Sequence, residues 1–326
     1  MSKEAFFITG ALGCVGSWVL RNLVDEGVTV VASDLSTDPV RPRLLLSDDE
    51  LSRIEFVKVD ITDLESLRQT VASREITHII HLAALQVPFC IANPSLGSQV
   101  NVTGTVNIFE VARHLKEQIR GLAFTSSIAV MGPADRYPDR PLKDDVELYP
   151  QTLYGVYKQA NEQTARVYWQ DWGIPSVSIR PYIIYGIGRD QGLTSDVAKA
   201  ILAAAAGQEY EIRFSGPISM QYADDVAKIL IRAARSEHRG AAACNLRGDI
   251  LTVEGFVTAL QSVLPNAQVR YSGSQLPFPS DLSDEGLRAI LGELPHTPLD
   301  VAIRETAERF TKLLQEGRVD LQQLKE

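Results

Sequence analysis

Apolar residues fall along this chain in short dense blocks: AFFITG from Ala5, VTVVASD from Val28, RIEFVKVD from Arg53, THIIHLAA from Thr77, GLAFTSS from Gly121 and PSVSIRP from Pro175. None alternates cleanly with polar residues, which is the pattern of strands buried on both faces rather than on one. Between the blocks, apolar positions recur at helical spacing over Val15 to Glu26, Leu64 to Ser73, Ser98 to Leu115 and Thr152 to Trp172. Strands alternating with helices in this way predict an α/β fold, a doubly wound parallel sheet with helices on both faces.

The rhythm changes after Pro181. An irregular RPYIIYGIGRDQGL leads to an alanine-rich helix near Asp196 to Ala206, and YADDVAKILIRAARSE reads as a further helix with Asp224 and Asp225 at its start as caps. AAACNL is expected to rejoin the sheet, and from Leu251 the pattern is that of a smaller, mostly helical C-terminal substrate lobe. The expected division is therefore a sheet domain over 1–180, rejoined by 222–248, and a substrate lobe made of 181–221 and 249–326.

Composition narrows the partners. With 32 basic against 41 acidic residues, a net charge of −9 and no long basic cluster, a nucleic-acid or anionic-membrane surface is not expected. Cys14, Cys90 and Cys244 are odd in number and far apart, so no disulfide framework and no metal site is expected, and a reducing cytoplasm suits the chain. No apolar run is long enough to span a bilayer, and the first residues enter a strand at once, so no signal peptide is expected either. A small-molecule substrate is the better expectation.

The first strand ends in TGALGCVG, which sets Gly10, Gly13 and Gly16 between a strand and the helix that follows. Gly10 permits the tight turn, Gly13 lets backbone approach a pyrophosphate, and Gly16 lets the helix pack closely, while the helix N-terminus supplies N–H donors. Asp34 closes the next strand, about 20 residues on, where a carboxylate receives ribose hydroxyls and repels a 2′-phosphate. NAD is therefore expected, with Arg41 and Arg43 in the following loop as the only argument for NADP. Further on, PQTLYGVYK places Tyr154 and Lys158 on one helical face.

Together with VDITD, HLAA, NVTGT, TSSIAVMG and RPYIIYG, in this order, these pieces resemble the extended short-chain dehydrogenase/reductase family, of NAD-dependent epimerase/dehydratase type. The resemblance implies a Rossmann-type NAD-binding domain in which Ser127, Tyr154 and Lys158 are catalytic. It also implies that Cys14, Val15, Asp60, Ile61, Leu82, Ala83, Ala84, Asn101, Thr125, Pro181 and Tyr182 join the glycines and Asp34 around the dinucleotide. Tyr154 would exchange the proton of a substrate hydroxyl once Lys158 and the nicotinamide charge lower its pKa from about 10. His81 is read as a packed turn residue and Tyr157 as a packing neighbour.

Departures from the relatives carry the finer information. Ile128 and Ala129 stand where sugar dehydratases carry acids and where 3,5-epimerising relatives carry a cysteine. Ile183 replaces the asparagine, and SGPISMQYADD lacks the arginine, with which nucleotide-sugar epimerases hold a diphosphate. The loop GRDQGLTSD resembles that of short-chain L-threonine 3-dehydrogenases, where small hydroxyl residues receive a carboxylate. Gln86, Ser127, Thr194, Ser195 and Arg213 are accordingly the expected substrate contacts, and Arg189 is weighed with Arg213 as a surface arginine able to meet an acid. The expected activity is hydride transfer between NAD and a secondary hydroxyl of a sugar, sugar acid or hydroxy acid. A 4-epimerase working by transient oxidation is the alternative, and a non-catalytic NAD-binding protein a third. Relatives suggest a homodimer through Ser98 to Leu115 and the tyrosine helix, with Val106, Ile108, Phe109, Tyr168 and Trp169 as its apolar surface.

Overall fold

The computed structural model describes residues 3–325. Its first part runs β1 (Ala5–Thr9), α1 (Cys14–Asp25), β2 (Thr29–Asp34), a short α2 (Asp48–Leu51), β3 (Glu55–Lys58), α3 (Leu64–Ser73), β4 (His78–His81), α4 (Val87–Ala92), α5 (Pro94–Ser98), α6 (Gly104–His114), β5 (Gly121–Thr125), α7 (Leu153–Trp172) and β6 (Ser176–Arg180). The rest comprises β7 (Ile183–Tyr185), α8 (Asp196–Ala205), β8 (Tyr210–Ile212), β9 (Pro217–Tyr222), α9 (Ala223–Arg235), β10 (Ala241–Asn245), β11 (Asp249–Thr252), α10 (Val253–Val263), β12 (Val269–Tyr271), α11 (Glu285–Leu291) and α12 (Leu299–Gln315).

Among the described residues, seven strands form one sheet in the order β10-β6-β5-β4-β1-β2-β3, and every pairing in it is parallel. The chain winds outward from β1 in one direction to β3 and then in the other through β4 to β10. Crossovers therefore leave a crevice beyond the carboxyl ends of β1 and β4, where the winding reverses. Smaller sheets of β11-β9-β7 and β12-β8 lie in the later part of the chain.

The buried strand signature has a direct cause. Phe6 and Ile8 face a core with Val19 and Leu23 of α1 and Ile229 and Leu230 of α9, which continues through Phe214 and Phe256 to Ile303 and Phe310. Ala5 and Phe7 point to the opposite face, among Leu67, Val71, Ile108, Phe109, Phe124 and Tyr168. Because alternate side chains of one strand enter two apolar layers, the sequence shows no polar alternation.

Several expected elements differ. The stretch expected as one helix over Ser98 to Leu115 is interrupted by a π-helical segment, Gln99–Thr103, before α6. SGPISMQY, to which the sequence pattern assigns no element, supplies β9, whose Pro217–Met220 pairs with β11. Asp224 and Asp225 sit in the first turn of α9 but do not cap it: Asp224 binds Asn22 and Lys228, and Asp225 binds Thr297, so both acids tie α9 to its neighbours or itself. Ile108, Phe109 and Tyr168 are buried within the chain, whereas Leu153, Val156, Val167 and Trp172 of α7 are exposed. Of the expected residues Val106 and Trp169 remain partly exposed, and the exposed apolar surface of α7 adds Leu153, Val156, Val167 and Trp172.

Helix α7 is fixed at both ends and at its middle. Thr152 caps it by accepting from Gly155 N at 3.0 Å, and Gly173, at φ 67°, ends it in the left-handed conformation. Gly155 is required by contact rather than by torsion, since a Cβ there would lie 2.1 Å from Ala129 O. One turn beyond Lys158, Glu162 receives Arg180 at the end of β6 through two hydrogen bonds of 2.8 Å and also accepts from Ser126 Oγ. Arg180 further donates to Asp144 O and Asn245 Oδ1, so the guanidinium ties α7, β6 and β10 together with side chains only 4% and 3% exposed at the ion pair. Removing one member leaves the other charge buried, so Arg180→Met is expected to cost ~3–5 kcal/mol of unfolding free energy, measured by denaturant titration. A loss below ~1 kcal/mol would show that the pair does not anchor the helix.

Candidate active site

A cleft of about 1140 Å³ opens at the carboxyl ends of the central strands and runs from Asp34 past the glycine loop to Tyr154 and Thr194. The loop is built by its glycines. Gly10 has φ 66°, and a Cβ on it would come within 2.6 Å of Ala83 N, so β1 and the loop after β4 can meet only without a side chain there. At Gly16 a Cβ would lie 2.5 Å from Gly10 O, which is the close packing of α1 on the turn. Gly13 meets only Gly10 O, at 3.2 Å, and caps α1 with no side chain acceptor and no acidic residue in the first turn. Its free N–H donors therefore open on the cleft, which suits a phosphate.

Asp34 does more than lie at the end of β2. One carboxylate oxygen accepts from Leu12 N at 3.0 Å and the other from Leu35 N at 2.8 Å, which holds the acid against the glycine loop. Arg41 is bound to Asp190 at 2.9 Å and Arg43 to Asp38, so both arginines of the neighbouring loop are neutralised by carboxylates. Asp60 fixes the turn after Val59 by accepting from Thr62 N and its hydroxyl, each at 2.8 Å. Cys14, Val15, Ile61, Leu82, Ala83, Ala84, Gln86, Thr125, Pro181 and Tyr182 also line the cleft. These residues fit a dinucleotide with an unphosphorylated adenosine ribose. Burial pushes the Cys14 thiol up to about 12, which leaves it a packing group rather than a nucleophile.

Ser127, Tyr154 and Lys158 come together on the same wall. The Ser127 hydroxyl acts on the Tyr154 phenol and accepts from Ala129 N at 3.1 Å. Lys158 donates to Thr125 O at 2.7 Å, with its nitrogen 5.7 Å from the centroid of the Tyr154 ring. Burial pulls the Lys158 ammonium down to about 8, so it is still mainly charged at neutral pH. In the protein alone burial raises the Tyr154 phenol, and Ser127 and the charge of Arg189 oppose that rise. The lowering expected from Lys158 together with the nicotinamide charge concerns the NAD-loaded site, and Arg189 is a cation acting on the phenol besides Lys158.

Three expected contacts lie elsewhere. Asn101, in the π-helical segment, binds Leu85 N and O and the Cys90 thiol, so it supports the loop after β4 from behind and does not line the cleft. Ser195 is fully buried away from the cleft, whereas Thr194 lines it. Arg213 is occupied by Asp196 at 2.7 Å and is likewise outside the lining. His81, as read from its surroundings in the sequence, is a packed group: it bridges Thr9 at 2.7 Å and Thr105 at 3.0 Å, and burial lowers it to about 3. Contacts that sequence reasoning missed include Leu276, Pro277 and Phe278, where Phe278 O receives the Tyr182 hydroxyl at 3.3 Å. Their only signal was the QLPFP turn, which carries no chemistry of its own. Among the described residues no cluster of three or more His, Cys, Asp or Glu is placed to hold a metal ion, and no helix is long and apolar enough to cross a membrane.

Comparison with known proteins places this geometry among relatives. The NAD dependent epimerase/dehydratase family matches residues 6–246. UDP-glucose 4-epimerase of Mycolicibacterium smegmatis is 30% identical over 317 residues, 93% of this chain and 97% of that protein. The mitochondrial L-threonine 3-dehydrogenase of Bos taurus is 28% identical over 280 residues, 83% of this chain and 71% of that protein. A solved structure of a partial consensus L-threonine 3-dehydrogenase shares the fold, with a TM-score of 0.82 at 23% identity over 95% of this chain and 100% of that one.

The glycine geometry yields a paired expectation. Gly13→Ala makes one tight contact, 3.2 Å to Gly10 O, and sets a methyl where the phosphate approaches, so NAD affinity should fall ~10-fold or more with a smaller loss of melting temperature than at Gly10. Gly10→Ala meets backbone and a positive φ and should lose stability outright. Calorimetric NAD titration and thermal unfolding separate the two; a Gly13→Ala protein with unchanged NAD affinity would remove the loop from the phosphate site.

Proposed function

Since the chain belongs to the NAD-dependent epimerase/dehydratase family and NAD is its cofactor, we propose that it is an oxidoreductase exchanging a hydride with a secondary hydroxyl or ketone of a small polar substrate, a sugar, sugar acid or hydroxy acid. The observation that carries this reading is the convergence of Ser127, Tyr154 and Lys158 on a cleft that begins at the glycine loop and Asp34. Bound NAD accepts the hydride on oxidation and returns it on reduction. The protein's part is protonic and positional. Ser127 holds the substrate oxygen by a hydrogen bond, and Tyr154 takes or gives the hydroxyl proton at its phenolic oxygen. Lys158, held by Thr125 O, keeps a positive charge on the wall where the nicotinamide ribose is received. Asp34 receives the adenosine ribose, and Leu82, Ala83 and Ala84 cover the dinucleotide. The residues after Pro181, outside α9 and β10, are proposed as the substrate lobe.

Net dehydrogenation is favoured over epimerisation by what the nucleotide-sugar positions hold. Ile183 is fully buried in β7, and β9 buries Ile218 and Met220 with no arginine in its sequence, so neither place offers a diphosphate a partner. The second reading, a 4-epimerase using the same trio, is supported by the likeness to the M. smegmatis UDP-glucose 4-epimerase over 93% of this chain. A homodimer is proposed through the exposed apolar residues of α7, including Val156 and Trp172.

With NAD and a panel of aldonic, uronic and hydroxy acids, NADH is expected to accumulate by its near-ultraviolet absorbance, and Tyr154→Phe should lower turnover at least ~100-fold while NAD still binds. Interconversion of UDP-sugars without net NADH would favour the epimerase, and NAD binding with no turnover of either kind would favour a binding protein. Light scattering of the same preparation at micromolar concentration should give twice the chain mass, and the single mass would reject the dimer.

A further inference from the structure

Basic side chains around the cleft have partners, with one exception. Arg41 is held by Asp190, Arg43 by Asp38, Arg213 by Asp196, and Lys158 by Thr125 O. Arg189 is half-buried in the loop between β7 and α8 and lines the cleft. One of its terminal nitrogens donates to Thr194 Oγ1 at 2.9 Å. Its Nε is buried and has no hydrogen-bond partner, and among the described residues no carboxylate forms an ion pair with it. The neighbouring acid, Asp190, is turned to Arg41 and is spent there.

A guanidinium carries five N–H donors in a fixed fork, and leaving a buried one, here Nε, without an acceptor is costly. The surroundings show where the acceptor belongs. Gly192 has φ 84°; the position a Cβ would take on it is 2.6 Å from Gln86 Oε1 and 3.8 Å from an Arg189 terminal nitrogen. Gln86, Arg189 and Thr194 therefore crowd one stretch of cleft wall, and their donors have no negative charge of the protein to meet. Arg189, Thr194 and Gln86 line the same cleft as Tyr154, and the Arg189 charge bears on the phenol.

We propose that Arg189, assisted by Thr194 and Gln86, holds a carboxylate of the substrate, which makes the substrate a compact hydroxy acid rather than a neutral polyol or a nucleotide sugar. This rests on the dehydrogenase reading above and deepens it. A planar carboxylate matches the fork in two parallel hydrogen bonds, and because Arg189, Thr194 and Tyr154 line one cleft, the reacting carbinol and the carboxylate belong to one small molecule. Specificity then comes from both directions: an acid completes the fork, while a polyol leaves it unpaired. The same chemistry would attract the dinucleotide pyrophosphate, because Arg189 also acts on Cys14 at the start of α1, so the test separates the two anions.

Wild type, Arg189→Lys and Arg189→Met are each titrated calorimetrically with NADH, and then, loaded with NADH, with threonate, gluconate and 3-hydroxybutyrate against threitol, sorbitol and 1,3-butanediol. Turnover with NAD is measured on the same pairs, and melting temperature reports folding. We expect an acid to bind wild type at least ~10-fold more tightly than its polyol. In Arg189→Met the acid-to-polyol ratio of kcat/KM should fall roughly 10- to 150-fold, chiefly through KM, with partial recovery in Arg189→Lys. Acids that bind no better than polyols, or an acid affinity indifferent to Arg189→Met, would overturn the proposal. So would a loss of NADH affinity with acid selectivity intact, since that assigns Arg189 to the pyrophosphate. Tyr154→Phe keeps the two readings apart: active Tyr154→Phe enzyme defeats the dehydrogenase mechanism, whereas acid binding by calorimetry judges Arg189 alone.

Discussion

The seating of α7 on the carboxyl edge of the sheet is the constraint on which the site depends. Tyr154 and Lys158 belong to its first turns, and a helix resting on a sheet by apolar contact alone can slide. Here it cannot: Arg180 at the end of β6 and Glu162 in α7 form a bidentate pair at 2.8 Å, closed off from water and extended to Ser126, Asp144 and Asn245. Directional bonds of this kind fix register where dispersion contacts do not. The backbone contact of Gly155 with Ala129 O fixes the other end, beside Ser127. The three groups that meet at the cleft are thus positioned by interactions that involve none of their own reacting atoms.

The anchoring also shapes the electrostatics. Bringing α7 this close to the sheet buries Tyr154 and Lys158, and burial shifts the two in opposite senses, raising the phenol and lowering the ammonium to about 8. Both shifts favour neutral forms: the lowered ammonium moves toward neutral pH and the raised phenol away from it, so a phenolate at this place depends on positive charge nearby. Arg189 enters this field from the loop between β7 and α8. Its charge favours the phenolate, and by the account above it also recognises the acid to be oxidised. Substrate selection and proton transfer would then share one guanidinium, which ties the substrate's charge to the state of the base.

Much of this was legible in the residues, for physical reasons. The sheet was readable because its strands are buried on both faces and its glycine turn tolerates no side chain at Gly10. The trio was readable because an i, i+4 pair shares a helical face whatever the tertiary context. What was not legible depended on partners distant in sequence. Ser195 and Thr194 are adjacent hydroxyls, and only packing of α8 decides that one faces the cleft and the other the core. Arg189 and Arg213 looked alike until the structure gave Arg213 a carboxylate, Asp196, and gave Asp190 to Arg41 rather than to Arg189. Asn101 carried a cofactor expectation because no local pattern reveals that its amide would be used by Leu85. The Leu276 to Phe278 wall is a loop contact from the far end of the chain.

The central proposal is that the hydride leaves the substrate for good, a reading supported by the buried apolar Ile183 and the arginine-free β9 at the places where a diphosphate would be held. The most direct measurement follows deuterium from the reacting carbinol carbon of the best acid in the panel. The account predicts that the label is recovered in free NADH, one deuterium for each ketone formed. Deuterium retained at the original carbon of an inverted sugar, with free NADH unlabelled, would contradict it.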